Sequence, residues 1–263
     1  MPSLSTLVAT AATPSAAAST TRSAALRRGG PVVLVCTSCS QLGDTSLPTG
    51  AALTDIAVLY NALTDAGMDV EIVSVAGGPV PLDPASLAPG APLKAASAAL
   101  RRFGGDAAAQ RELADTRSFV GLVPDALAGA IFVGGRGAAW DLSFNREAAA
   151  FAATVHAAGG VVGGVGHGVG ALAGLATGRA ITAYTNAEED ADGGAALVPA
   201  LLQSRLVEAG ARFQAGAVSG APHAVRDGRL VSGQNSASAG AVAACVLEAL
   251  TGGVAGLGAP GAV

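Results

Sequence analysis

The strongest constraint on the fold is a repeated alternation of short apolar runs with alanine-rich stretches. The runs PVVLVC, DVEIVSV, AGAIFVGG and VVGGV are rich in β-branched residues and too short for helices. Stretches with helical composition, such as LTDIAVLYNALTDAG and FNREAAAFAATVHAAGG, lie between them. Continuous apolar strands joined through helices are typical of a parallel sheet buried on both faces. The pattern predicts a doubly wound, flavodoxin-like α/β fold with a mostly parallel sheet and helices on both faces.

Local signals predict how the elements are connected. Thr54 or Asp55 is expected to start the first helix, because both side chains can cap backbone N–H groups. Residues 77–118 combine a Pro- and Gly-rich stretch with a charged helix, and we expect them to cap the edge of the sheet. Asp227 and Gly228 separate two alternating segments, which predicts a two-residue hairpin.

Composition predicts one folded domain between two tails. Residues 1–29 are rich in Ala, Ser and Thr, contain three arginines and lack acidic residues. This composition fits an organelle transit peptide or a disordered tail equally well. We expect a single domain over residues 30–251 and a loose tail over 252–263.

Charge and cysteine content exclude several classes of protein. The net charge of −4 and the pI near 5.3 argue against nucleic acid as a partner, since phosphate binding needs a basic excess. No apolar run approaches the roughly 20 residues that span a bilayer, so no membrane segment is predicted. Three unevenly placed cysteines do not form a disulfide framework. They favour a reducing compartment, which is the cytoplasm, or a plastid or mitochondrion if residues 1–29 are a transit peptide.

The stretch VVGGVGHGVGAL, residues 161–172, resembles a strand that turns sharply into a helix. Gly164 and Gly168 flank Gly166 with the spacing Gly-x-nucleophile-x-Gly of a nucleophile elbow. In open parallel sheets the chemistry gathers at the carboxyl ends of strands, where this turn falls. The sequence therefore predicts an elbow whose apex, Gly166, carries no nucleophile.

The same glycines allow two other interpretations. Gly166, Gly168 and Ala171 also fit the pattern G-x-G-x-x-A of a dinucleotide site, with Glu188 about 20 residues further on. Alternatively, the glycines only let a strand and a helix pack closely together.

A second motif, Cys36-Thr-Ser-Cys39, has the spacing of redox and metal sites. No second pair of ligands accompanies it, and the residues after it form a Pro-containing loop rather than a helix. We therefore predict no metal site and no cofactor, with Cys36 in the core and Cys39 on the functional rim.

Several ordered segments together resemble the ThiJ/PfpI superfamily of class I glutamine-amidotransferase-like proteins, in its chaperone and glyoxalase III branch. The resemblance spans about residues 31–250. The segments are TSCSQLGDTSLPTGAALTDIAVLYNALTDAGMDVEIVSVAGGPVPLDPASLA, IFVGGRGAAWDL, GGVVGGVGHGVGAL, ITAYTNAEED and DGRLVSGQNSASA.

The resemblance implies a set of site residues. Similar proteins place a reactive cysteine at the elbow, a histidine after it, an acid on the first helix and a glutamate in the T-N-x-E-E stretch. These positions fall on Gly166, His167, Asp55 and Glu189. The chain departs from the pattern at Gly166, which replaces the cysteine, and at Arg136 and Cys39, each of which stands where the family often has histidine.

The resemblance implies cofactor-independent conversion of methylglyoxal to lactate, or protein deglycation, in a homodimer. Because the thiolate is what attacks the aldehyde, Gly166 removes covalent catalysis. The hypothesis is a noncatalytic, stress-related binding or chaperone-like protein that takes a small carbonyl or anionic ligand. Alternatives are retained glyoxalase or deglycase activity, and a relocated thiol at Cys39. The predicted pocket also includes Gly135, Arg136 and Trp140, with Arg136 either binding the ligand or pairing with Asp141 or Glu147.

Overall fold

A computed structural model describes residues 30–88 and 91–252 of the 263-residue chain. Its strands are β1 (Val32–Cys36), β2 (Val70–Ser74), β3 (Arg117–Ser118), β4 (Gly129–Phe132), β5 (Val161–Val165), β6 (Ala180–Ile181), β7 (Arg212–Phe213), β8 (Ala224–Asp227) and β9 (Leu230–Gly233). Seven strands form one sheet in the order β3-β2-β1-β4-β5-β9-β8, and β6 pairs with β7 separately. Within the seven-stranded sheet only β8 runs antiparallel to its neighbour.

Helices cover both faces of the sheet. They are α1 (Leu53–Asp65), α2 (Ala91–Gly105), α3 (Ala107–Ala114), α4 (Ala138–Asp141), α5 (Arg146–Ala157), α6 (Ala173–Ala176), α7 (Asn186–Ala191), α8 (Leu202–Glu208) and α9 (Ala239–Leu250). Val32 and Leu34 of β1 pack with α1 and α9 on one face, while Val33 and Val35 pack with α5 on the other. Both faces of β1 are buried, which explains its unbroken apolar run. The predicted doubly wound α/β fold is confirmed.

The first helix begins slightly earlier than its capping residues suggest. It starts at Leu53 after Ala52, which has no side chain to cap the helix. The Ala52 N–H instead donates to the Gly134 carbonyl at 2.9 Å, so the loop after β4 holds the start of α1. Thr54 and Asp55 lie buried in the first turn. Asp55 is thus directed into the protein rather than used as a cap.

The helix expected after the elbow is short. Residues Gly166–Leu172 form a 3-10 helix, and regular α-helix is limited to the four residues of α6. Glycine in a helix costs about 1 kcal/mol relative to alanine, and this segment holds three glycines.

The excursion at residues 77–118 lies at one edge of the sheet, as predicted. It contains α2 and α3 and ends in β3, the edge strand, which pairs with β2. At the opposite edge the predicted hairpin joins β8 to β9, with Gly228 at φ +64°.

The predicted N-terminal tail, residues 1–29, lies outside the described residues, as do residues 253–263 of the predicted C-terminal tail. The single-domain boundary at residues 30–251 stays a prediction. In the part of the chain that the structure describes, no helix has the length and apolar character needed to cross a bilayer.

Candidate active site

The elbow is formed where β5 ends. Val165 is extended, and Gly166 follows with φ +52°. A Cβ atom placed on Gly166 would have no neighbour within 4 Å, whereas one on Gly168 would lie 2.3 Å from the Phe132 carbonyl oxygen. The flanking glycine is therefore required for close packing against β4, while the apex has open space for a side chain. The backbone has the shape of a nucleophile elbow.

The residue after the apex, His167, is paired with a buried glutamate. Its Nε2 lies 2.6 Å from Oε2 of Glu189, in the first turn of α7, and both side chains are buried. The Tyr184 ring packs on the imidazole with centroids 4.7 Å apart. Burial raises the pKa of Glu189, but the hydrogen bond and charge of His167, with Arg136, outweigh it and lower the pKa. The glutamate is held ionised and orients the imidazole.

Arg136 is held by two carboxylates of the site. Its Nε lies 3.4 Å from Glu189 Oε1, and its Nη2 lies 3.7 Å from Asp192 Oδ2. Asp141, one partner considered from the sequence, instead accepts hydrogen bonds from the Thr37 hydroxyl and a backbone N–H. The other, Glu147, forms no ion pair with Arg136. Arg136 is therefore paired, as one of the two alternatives expected, but with Glu189 and Asp192 rather than with Asp141 or Glu147.

Asp55 contributes a buried carboxyl group from the first turn of α1. Its side chain is fully buried, and Oδ2 makes no hydrogen bond of normal geometry among the described residues. The Thr54 hydroxyl reaches Oδ1 only at 3.4 Å. Burial raises the pKa of Asp55 to about 6, and interactions with Ser236, Thr54 and Gly134 partly offset this rise. Asp55 therefore titrates close to neutral pH.

Glu188 is a central site residue that the sequence indicated only as the acidic member of a possible dinucleotide motif. One oxygen accepts from Gly220 N–H, Gln234 and Asn235, and the other accepts from the backbone N–H and hydroxyl of Thr185. These donors outweigh burial, which alone raises the pKa of Glu188, and lower it. Five donors saturate the carboxylate, which leaves no position for a ribose hydroxyl. The capping-box spacing from Thr185 to Glu188 is the sequence signal for this role.

One cavity of about 580 Å³ lies over the elbow. Of the predicted site residues, it is lined by Asp55, Gly135, Arg136, Gly166 and His167. It is also lined by polar residues that the sequence did not indicate, because they come from separate loops: Asp83, Tyr184, Asp192, Asn235 and Ser236.

Three predicted residues do not line the cavity. Glu189 lies behind His167, to which it is bonded. The Cys39 thiol donates to the Gln41 carbonyl at 3.0 Å, so its sulfur is bonded to the backbone of its own loop. Trp140 packs against Gly43, where a Cβ would lie 2.5 Å from the indole. Cys39 thus lies in the loop that follows β1, and Trp140 of α4 packs against that loop rather than lining the cavity.

No group of three or more His, Cys, Asp or Glu side chains among the described residues is arranged to hold a metal ion. The cavity contains an oriented imidazole, a buried carboxyl that titrates near neutrality, and several hydroxyls.

Comparison with known proteins agrees with this architecture. The model of the DJ-1/PfpI family matches residues 45–249. Rapid Encystment Protein 24 kDa of Francisella tularensis superposes with a TM-score of 0.78 at 27% identity, over 84% of this chain and 99% of that one. Glyoxalase III of Candida albicans gives 0.71 at 22% identity, over 84% and 98% of the two chains.

A more distant solved structure, DJ-1beta of Drosophila melanogaster, shares the fold with a TM-score of 0.51 at 14% identity, over 85% of this chain and 91% of that one. No curated protein sequence matches the chain. The family match covers most of the chain and includes the elbow, the first helix and the T-N-x-E-E stretch. This protein belongs to the DJ-1/PfpI family.

Proposed function

We propose that this protein is a noncatalytic member of its family, which binds a small molecule reversibly in the cavity over the elbow. The observation that supports this most directly is Gly166. The apex has the left-handed backbone of an elbow and open space beside it, yet no atom there can attack a carbonyl. Without a nucleophile, covalent catalysis is lost, and binding and electrostatics are what remain.

The cysteines of the described residues do not replace the missing thiol. Burial, with the charges of Asp55 and Asp141, raises the pKa of Cys36 far above its usual range. Burial also raises the pKa of Cys39, whose sulfur is bonded to its own loop. Cys245 lies on α9, and none of the three lines the cavity. A thiol protonated at neutral pH is a weak nucleophile. The state and position of these thiols therefore support the proposal of a noncatalytic protein.

A second candidate is a cofactor-independent glyoxalase III or deglycase. The specific observation in its favour is the buried His167–Glu189 pair, whose imidazole lines the cavity together with Asp55. An oriented base and a carboxyl with a pKa of about 6 can in principle move a proton between adjacent carbons of a bound carbonyl compound. The fold shared with the Candida albicans glyoxalase III is consistent with this candidate.

The charges around the cavity argue against an anionic ligand. An anion would need an unpaired cation, but the guanidinium of Arg136 already faces Glu189 and Asp192. A stress-related chaperone-like role and a homodimer are also part of the proposal, and both rest on the family resemblance alone. Light scattering during heat-induced aggregation of a client protein tests the first, and sedimentation velocity tests the second.

Lactate formation from methylglyoxal separates the two candidates. The wild-type protein and Gly166→Ala, which adds a methyl group without a nucleophile, should form no lactate above the rate in buffer. Gly166→Cys should gain activity, because the apex has room for the side chain and His167 is already oriented beside it. Wild-type lactate formation that His167→Ala abolishes would replace the first candidate with the second.

A further inference from the structure

The cavity has more carboxylates than cations around it. Four carboxylates line it, and a fifth, Glu189, lies directly behind His167. Among the described lining residues, the side chains that can carry positive charge are Arg136 and His167. The region is therefore net negative at neutral pH, and a low-dielectric cleft strengthens such a field.

Two of the lining carboxylates accept hydrogen bonds from neutral groups. Asp83 accepts from the Thr49 hydroxyl and from the backbone N–H groups of Ala85 and Arg136. Glu188 accepts its five bonds from amides and a hydroxyl. Neutral donors do not cancel the charge of a carboxylate, so both groups contribute negative potential to the cavity.

Arg136 offsets only part of this charge. One guanidinium is shared between Glu189 at 3.4 Å and Asp192 at 3.7 Å, and Asp192 also accepts a hydrogen bond from the Tyr184 hydroxyl. Even when the pairing of His167 with Glu189 is included, Arg136 and His167 can at most balance Glu189 and Asp192, so Asp55, Asp83 and Glu188 remain in excess.

Asp55 has a buried carboxylate oxygen, Oδ2, without a hydrogen-bond partner among the described residues. The residue lines the cavity and is fully buried. A buried ionised carboxylate without a counter-charge is costly, and native proteins usually pair such groups. A positively charged donor in the cavity would give this oxygen a hydrogen bond. The same group would also reduce the excess of negative charge.

We propose that the cavity binds a ligand carrying a protonated amine, whose ammonium group pairs with Asp55, and that it discriminates against carboxylate ligands. The inference rests on the proposed reversible binding and names its ligand class. The cavity volume of about 580 Å³ falls in the range of sites for drug-sized molecules and exceeds what a three-carbon carbonyl compound needs. The amine can therefore be part of a larger molecule.

Three probes of one chain length test the charge preference: butylammonium, 1-butanol and butyrate. They are titrated into isotopically labelled wild-type protein while backbone amide shifts are followed by NMR. Butylammonium should shift the amides of Gly135, Gly166 and His167 saturably, and should bind at least about tenfold more tightly than butanol, since hydrogen bonds to charged groups contribute more than neutral ones. Butyrate should bind most weakly.

Two variants of equal net charge locate the effect. Asp55→Asn removes the charge inside the cavity, while Asp125→Asn removes one from an exposed residue of the 3-10 helix Pro124–Ala126. Butylammonium binding should weaken at least about tenfold in Asp55→Asn and should be unchanged in Asp125→Asn.

The inference is overturned if butyrate or butanol binds as tightly as butylammonium, if Asp55→Asn binds the amine normally, or if no probe shifts the cavity amides. The comparison of probes uses wild-type protein alone, so it does not depend on the folding of a variant. The lactate assay tests the noncatalytic assignment separately. A protein that makes no lactate but prefers butyrate would contradict only the ligand class.

Discussion

Replacement of Asp55 by asparagine should change how stability depends on pH. The folded protein raises the pKa of this carboxyl from 3.8 to about 6, chiefly through burial. Between these two values the folded state holds a proton that the unfolded state has released. Asp55 therefore lowers the free energy of unfolding as pH rises from about 4 to about 6, and the deficit persists above the folded pKa. The side chain is fully buried, so solvent screening does not reduce the effect.

The magnitude follows from the shift in pKa. At 1.36 kcal/mol per pKa unit, the rise from 3.8 to about 6 corresponds to about 3 kcal/mol of lost folding stability. About 2–3 kcal/mol of this loss develops between about pH 4 and about pH 7.5. Asparagine does not titrate, so the stability of Asp55→Asn relative to wild type should increase by that amount over the same interval. A constant cost from the buried amide cancels in this comparison.

Urea denaturation at a series of pH values measures the effect, with Asp125→Asn as the control at an exposed site. The control should follow the wild-type profile in parallel. The stability difference between Asp55→Asn and wild type should therefore change with pH. If it stays constant, or if it moves in favour of wild type as pH rises, burial does not set the pKa of this carboxyl.

Two further predictions concern the elbow and its support. Gly166→Ala should lower the free energy of unfolding by about 1–2 kcal/mol, because alanine is strained in the left-handed backbone at this position. Gly168→Ala should lower it by about 3 kcal/mol or more, because the new Cβ would meet the Phe132 carbonyl. Equal losses for the two variants in urea denaturation would contradict the geometry. Glu188→Ala should destabilise the protein by about 3 kcal/mol or more, since it leaves the buried amide of Asn235 without its carboxylate partner. Calorimetric unfolding measures this loss. An unchanged stability would show that the hydrogen-bond network around Glu188 does not stabilise the fold.

Much of the fold could be predicted from local pattern. The run VVLVC predicts a strand buried on both faces, and the structure places its alternate residues in two separate cores. The spacing around Gly166 predicts an elbow, because a sharp turn between strand and helix needs small flanking residues within a few positions. His167 could be placed beside it for the same reason, since sequence neighbours stay neighbours in space.

Side-chain partnerships across loops could not be predicted in this way. Arg136 was expected to bind a ligand or pair with Asp141 or Glu147, but it faces Glu189 and Asp192. Cys39 and Trp140 follow the right strands yet turn onto the loop after β1. These outcomes depend on how loops far apart in sequence pack at the ends of the strands, and local spacing holds no information about that packing.

The sequence by itself determined the layered architecture, the family and the absence of a nucleophile at the elbow, because periodicity, glycine spacing and the identity of one residue are local properties. Only the tertiary structure decided the electrostatics of the cavity. The burial of Asp55, the neutralisation of Arg136 and the excess of carboxylates arise from residues that meet only when the chain folds, and the energy of a charge depends on what surrounds it.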